Sequence, residues 1–132
     1  MSESTDPLIS LVGRELAAVT FVRDYIQISF DGPYLTAVVD PVLHVDNKTY
    51  HRGEHDYNNV LIAFINRSVT RVTVEDGREI VLVFEDNSNI ILSLRREDLQ
   101  FGPEAVIFNT PQGSWTIFPG ADNIRSEGTG RR

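Results

Sequence analysis

The alternation of apolar and polar positions divides this chain into short segments, and one series of segments occurs twice. Ile26, Ile28 and Phe30 alternate with Gln27 and Ser29, the period of a strand with one wet face. In 78–85, Ile80, Leu82 and Phe84 alternate with Val81 and Val83, which predicts a strand covered on both faces. Tyr57, Val60, Leu61, Phe64 and Ile65 share one helical face, with Asp56 as N-cap. A shorter helix is predicted at Leu8, Leu11 and Val12, behind Asp6 as cap and Pro7 in the first turn.

The segments repeat. Leu8-Ile9-Ser10-Leu11-Val12-Gly13-Arg14 matches Leu61-Ile62-Ala63-Phe64-Ile65-Asn66-Arg67 at an offset of 53. Leu16, Val19, Thr20 and Phe21 then fall on Val69, Val72, Thr73 and Val74. One inserted residue later, Ile26, Ile28, Phe30 and Asp31 fall on Ile80, Leu82, Phe84 and Glu85; a second insertion brings Leu35 and Ala37 onto Ile90 and Leu92. Both insertions lie at predicted turns, where they are tolerated best. Three strands follow each helix, at 15–23, 25–31 and 34–40, then at 68–75, 78–85 and 89–95. The turns Asp31-Gly32-Pro33, Asp76-Gly77 and Asp86-Asn87-Ser88-Asn89 are short and favour antiparallel pairing. Gly13 and Asn66 stand where each helix ends in a left-handed residue. Outside the repeat, 42–51 reads as one or two irregular strands and Arg96–Gln100 as a helical turn. Ala105–Asn109 and Ser114–Phe118 read as a hairpin, and 119–132 as a flexible, polar, Gly-rich tail.

Composition narrows the chemistry. A chain of 132 residues, 41% hydrophobic, is the size of one globular domain with its own core. The absence of cysteine excludes disulfides, thiol catalysis and cysteine-ligated zinc. Met1–Asp6 lacks the basic-then-apolar pattern of a signal peptide, and no run reaches the ~18 apolar residues of a membrane span. The expected compartment is the cytoplasm. The net charge is −7; the tail carries +1, so the rest carries −8. Such a body repels nucleic acid and anionic lipid, and steers basic partners.

His51-Arg52-Gly53-Glu54-His55 matches the H-x-x-E-H spacing of inverted-motif zinc proteases. That chemistry needs both imidazoles on one helical face, whereas Gly53 inside the motif favours a loop; no metal site is predicted. His44 alternates with Leu43 and Val45 and belongs on the solvent face of a strand. The pairs Glu75-Asp76, Glu85-Asp86 and Glu97-Asp98 sit at turns, not across a cleft as glycoside hydrolysis requires. Arg14 and Arg67, equivalent under the repeat, each follow a helix C-terminus, where a cation bonds terminal carbonyls. Their alternative role is a pair gripping an anion where the repeats meet. Trp115 is assigned to the core.

The pattern Gly13-Arg14-x-Leu16 with Phe30-Asp31-Gly32, and Arg67-x-Val69 with Phe84-Glu85-Asp86, resembles that of small bacterial β-rich domains of unknown function, over residues 8–95. The resemblance implies a compact, single-domain β-rich protein and carries no activity.

The expected fold is mainly β, α+β by a strict count. It has two pseudo-twofold α-β-β-β units, 8–40 and 61–95, a C-terminal hairpin and two short helices. One domain spans 1–118. The expected function is a non-catalytic interaction module with an unknown protein partner, such as an immunity-type inhibitor covering a basic active site. No cofactor, nucleic acid or membrane is expected; homo-oligomerisation through a sheet edge is. The alternative is a small-ligand-binding protein or minor hydrolase with Arg14, Arg67, His51 and His55 at the repeat interface.

Overall fold

The computed structural model describes residues 7–98 and 104–118, and the backbone of 124–126. The chain opens with a 3-10 turn, Pro7–Leu11, followed by β1 (Ala18–Val22), β2 (Tyr25–Ser29), β3 (Tyr34–Ala37), β4 (Val42–Val45) and β5 (Lys48–Tyr50). Helix α1 (Tyr57–Ile62) leads to β6 (Val69–Glu75), β7 (Glu79–Phe84) and β8 (Asn89–Ser93). A 3-10 turn at Arg96–Asp98 precedes β9 (Val106–Thr110), β10 (Gly113–Ile117) and β11 (Ile124–Ser126). The expected cap Asp6 and residues 99–100 of the expected helical turn lie outside the described residues, as do 119–123 and 127–132 of the expected tail. Ile124–Ser126, inside that tail, pairs with β10.

All pairing is antiparallel, in two sheets ordered β1-β2-β3-β9-β10-β11 and β5-β4-β8-β7-β6. The mainly β expectation holds, with one correction: the first helix is a 3-10 turn of five residues, and α1 is the one α-helix among the described residues. Five residues are too few for an α-helix to nucleate without tertiary support.

The repeat offsets predict cross-strand partners. In the first unit Ile26 faces Ala37 and Ile28 faces Leu35. In the second, the matching Ile80 faces Leu92 and Leu82 faces Ile90. Val19 faces Ile28 and Phe21 faces Ile26; Val72 faces Leu82 and Val74 faces Ile80. The correspondence also reaches two hairpins that the sequence left outside the repeat. Leu35 pairs with Phe108, while its counterpart Ile90 pairs with Leu43. Both hairpins close with two-residue loops, between Val45 and Lys48 and between Thr110 and Gly113. Across the strands, His44 Nδ1 lies 3.2 Å from Thr49 Oγ1, and the Ser114 hydroxyl donates to Asn109 Oδ1 in the matching place. Thus β4 and β5 follow the first unit in the chain but join the sheet of the second, and β9 and β10 do the reverse.

The inward faces of both sheets, the 3-10 turn and α1 form one contiguous core. It includes Leu11, Ile28, Phe30, Leu61, Phe64, Val72, Leu82, Phe84 and Leu92, as the alternation predicts. Burying each such side chain contributes roughly 1.5–3 kcal/mol. Val19, Phe21 and Trp115 pack on its margin, partly buried. Val81 and Val83 are half-buried beside Ile91 and Asn89, so β7 is fully covered on one face only.

Candidate functional site

The two units meet where each leaves its helical turn. Gly13 and Asn66 both have positive φ, 90° and 80°, which sends the chain across to the other unit. Gly13 N–H donates to Val69 O at 2.8 Å, and its counterpart Asn66 N–H donates to Leu16 O at 2.8 Å. Val69 N–H donates to Arg14 O at 2.9 Å, and Leu16 N–H to Arg67 O at 3.0 Å. Exchanging 13 for 66, 14 for 67 and 16 for 69 turns each bond of the set into another. Glu15 and Ser68, at the centre, form an antiparallel bridge.

The backbone agreement stops at the arginine side chains. Arg14 is exposed, and its Nε donates to Ser10 O at 3.3 Å, the terminal carbonyl role expected of it. Arg67 makes no such bond. Its Nη1 lies 3.1 Å from Asp86 Oδ2 and donates to Ser88 Oγ at 3.3 Å. Its guanidinium also stands 5.0 Å over the Phe64 ring. The turn between β7 and β8 supplies these partners: Asp86 Oδ1 accepts from the Ser88 amide at 3.1 Å and the Ser88 hydroxyl at 2.5 Å. Burial pushes the Asp86 carboxyl up, but the Ser88 bonds and the Arg67 charge together hold it below the usual carboxylate range.

In the first unit the matching turn is Asp31-Gly32-Pro33, one residue shorter, and Pro33 replaces Ser88 as the carbonyl that accepts from the strand end. A cleft of about 380 Å³ opens there, lined by Gly13, Arg14, Glu15, Phe30 and Asp31, with Asn66 of the second unit. Arg67 does not line it. The arginine pair expected to grip an anion is therefore divided, one member facing the cleft and the other closing its own turn.

The histidines lie elsewhere. His51 and His55 occupy the loop between β5 and α1, not a helix face. Glu54 accepts from the His51 amide at 2.8 Å, so the H-x-x-E-H pattern serves a local turn. His55 is almost fully exposed, with Nε2 3.6 Å from Asp56 Oδ1. Asp56 stands at the N-cap position, but its side chain makes no capping bond. Among the described residues, no group of three or more histidine or acidic side chains is placed to hold a metal ion.

His51 borders a second cleft, about 270 Å³, with Asp40, Arg52, Ser93 and Asp98. Arg52 ties this region together. Its Nη2 donates to Val22 O at 2.8 Å, and Nη1 lies 3.5 Å from Asp40 Oδ1. The buried Tyr57 hydroxyl donates to Pro41 O. Burial and the nearby Asp40 charge push the Tyr57 phenol far above its ordinary range, against a smaller pull from Arg52. Ser93 Oγ donates to Asp98 Oδ2 at 2.6 Å. Nothing in the sequence spacing announces Arg52; the helical spacing puts Tyr57 on the apolar face of α1 but does not give its hydroxyl partner.

Comparison with protein-family models, curated proteins and solved structures gives no match to this chain.

Proposed function

We propose that this protein is a non-catalytic interaction module, built by duplication of one unit, whose acidic exterior engages a basic protein partner. One observation carries the reading. Among the described residues, twelve acidic side chains are exposed against seven basic ones, while Arg52 and Arg67 turn inward to fasten the fold. Such an excess raises the encounter rate with basic surfaces and fades as salt rises. Among the described residues, the two groups with displaced pKa, Tyr57 and Asp86, are both bound to neighbours within the fold, in structural roles.

The test is affinity capture with the full chain as bait in lysate of its own source cell. A stoichiometric basic protein that is released as salt rises from about 50 to 500 mM supports the reading. Recovery of no stoichiometric partner at low salt overturns it.

A second reading, a small-ligand site, is favoured by the cleft at Arg14, which lies at the unit junction as expected for such a protein. Ligand-observed NMR with a panel of amino acids and small carboxylates tests it. A hit lost in Arg14→Ala supports the site, and a panel without hits removes it.

A further inference from the structure

Each half of this chain is incomplete without the other. β1, β2 and β3 come from the first half, yet the strand beside β3 is β9, from the second. β6, β7 and β8 come from the second half, yet the strand beside β8 is β4, from the first. The two junctions use matching registers: Leu35 on Phe108 and Ala37 on Val106 in one, Ile90 on Leu43 in the other. The four crossing bonds between Gly13–Leu16 and Asn66–Val69 are likewise reciprocal. The surface that each half presents is thus shaped for the other half's backbone path, whichever chain supplies it.

We propose that the partner fitting this surface is a second copy of the same chain, which docks by exchanging halves across the loop 53–56. Residues 1–52 of one copy would complete residues 57–132 of the other, and the reverse. Every junction contact would be remade, with no new surface required, which is why such exchange is a low-cost route to a dimer.

The loop has the character of a hinge. Gly53, Glu54, His55 and Asp56 are all exposed. The bonds that shape the loop are local: Glu54 N–H to His51 O at 3.0 Å, Tyr57 N–H to Glu54 O at 3.1 Å, and the His51 amide to Glu54. Gly53 has φ of 97°, which an extended loop would release. Arg52 sets the hinge's near limit, since Val22 O and Asp40 both belong to the first half and stay with it. In dilute solution the short loop keeps closure within one chain dominant, because it holds the halves at an effective concentration of about 1 mM. Exchange therefore shows when the chain is refolded at comparable concentration.

The experiment uses the full chain, unmodified and with a protease site inserted after Gly53. Each is unfolded in denaturant and refolded at about 10 μM and about 1 mM, the latter matched to the closure range above. Mass is read by size exclusion with light scattering. Only monomer is expected at the lower concentration, and a species of twice the mass at the higher. Cleavage of that species in the loop should yield folded particles of monomer mass, each holding two half-chains. Three results overturn the proposal: monomer alone at high concentration, a dimer that keeps its mass after cleavage, or a cleaved monomer whose halves separate. The unmodified chain keeps the refolding arm readable if the insertion disturbs folding.

Discussion

Arg14 and Arg67 leave backbone turns with the same hydrogen-bond pattern and end in different surroundings. Each follows a residue of positive φ, and the four bonds around them interchange when the two units are exchanged. Yet Arg67 is closed over by Asp86, Ser88 and Phe64, whereas Arg14 lies exposed beside a cleft. One added residue in a turn separates the two cases: Asp86 and Ser88 hold Arg67 in the second unit, whereas the first unit has Gly32-Pro33 in their place and its carboxylate, Asp31, lines the cleft beside Arg14. The shared hydrogen bonds hold the path of the chain, leaving turn length free to decide whether a cation is structural or available.

The largest effect separating the two units belongs to the core beneath these turns. Phe30 and Phe84 are equivalent and fully buried, but Phe84 also meets Phe64 edge-to-face at 5.0 Å. Leu11 stands in the matching place of the first unit. Truncating either phenylalanine to alanine should cost about 3–5 kcal/mol. The aromatic pair should add about 1 kcal/mol to the loss at Phe84. Urea unfolding of Phe30→Ala and Phe84→Ala measures this. Equal losses would mean that the aromatic contact contributes nothing beyond area.

The next effect is at the arginines themselves. Arg67→Ala removes an ion pair, a bond to the buried Ser88 and a cation–π contact, and should destabilise by about 1–2 kcal/mol. Arg14→Ala removes one exposed bond and should stay within about 0.5 kcal/mol. Thermal unfolding of the pair, followed by circular dichroism, gives the difference. A loss at Arg14 as large as at Arg67 would show that the open site is fastened as firmly as the closed one.

Much of this architecture was legible in the chain. Strands with period-two alternation, such as 26–30 and 80–84, were placed within a residue or two, because one apolar face fixes register. The sequence did not reveal that the hairpins 42–50 and 106–117 change places between units. Their apolar patterns fit either sheet, and which neighbour they join depends on the path between units. Nor did it reveal the division of the arginine pair. The repeat pattern sets Arg14 against Arg67, but Arg67 finds its side-chain partners, Asp86 and Ser88, in the turn between β7 and β8, while Arg14 bonds Ser10 O within its own turn. His51 and His55 formed a motif by spacing alone; Gly53 between them had already argued for a loop.

Acid titration sharpens the same comparison through Asp86. Its folded pKa is lowered, so its contribution to stability is complete above the ordinary carboxylate value of about 3.9. That contribution is lost as pH falls through the lowered folded value. The wild-type protein should therefore lose stability on acidification faster than Asp86→Asn, whose curve is flatter below about pH 5. Stability measured by urea unfolding at intervals from pH 7 to pH 2 shows the two limbs. Parallel curves would remove Asp86 from the account. Tyr57 acts at the other extreme: its raised phenol value favours the folded state until pH climbs past about 10, so Tyr57→Phe should flatten the alkaline limb.

The smallest effect tests whether the crossing turns are the same object. Gly13 and Asn66 hold φ of 90° and 80°, and an added Cβ at Gly13 would meet no atom within 4 Å. Asparagine tolerates the left-handed region better than other non-glycine residues, at a modest backbone cost. Glycine avoids that cost but loses more conformational freedom on folding, by a similar amount. The two terms nearly cancel, so Asn66→Gly and Gly13→Asn should each move stability by no more than about 0.5 kcal/mol. The double variant, with the residues exchanged, should match the wild type in thermal unfolding. A loss of more than about 1.5 kcal/mol at Gly13→Asn alone would mean that the first turn needs glycine for a reason the second lacks, and the backbone equivalence of the halves would fail at its centre.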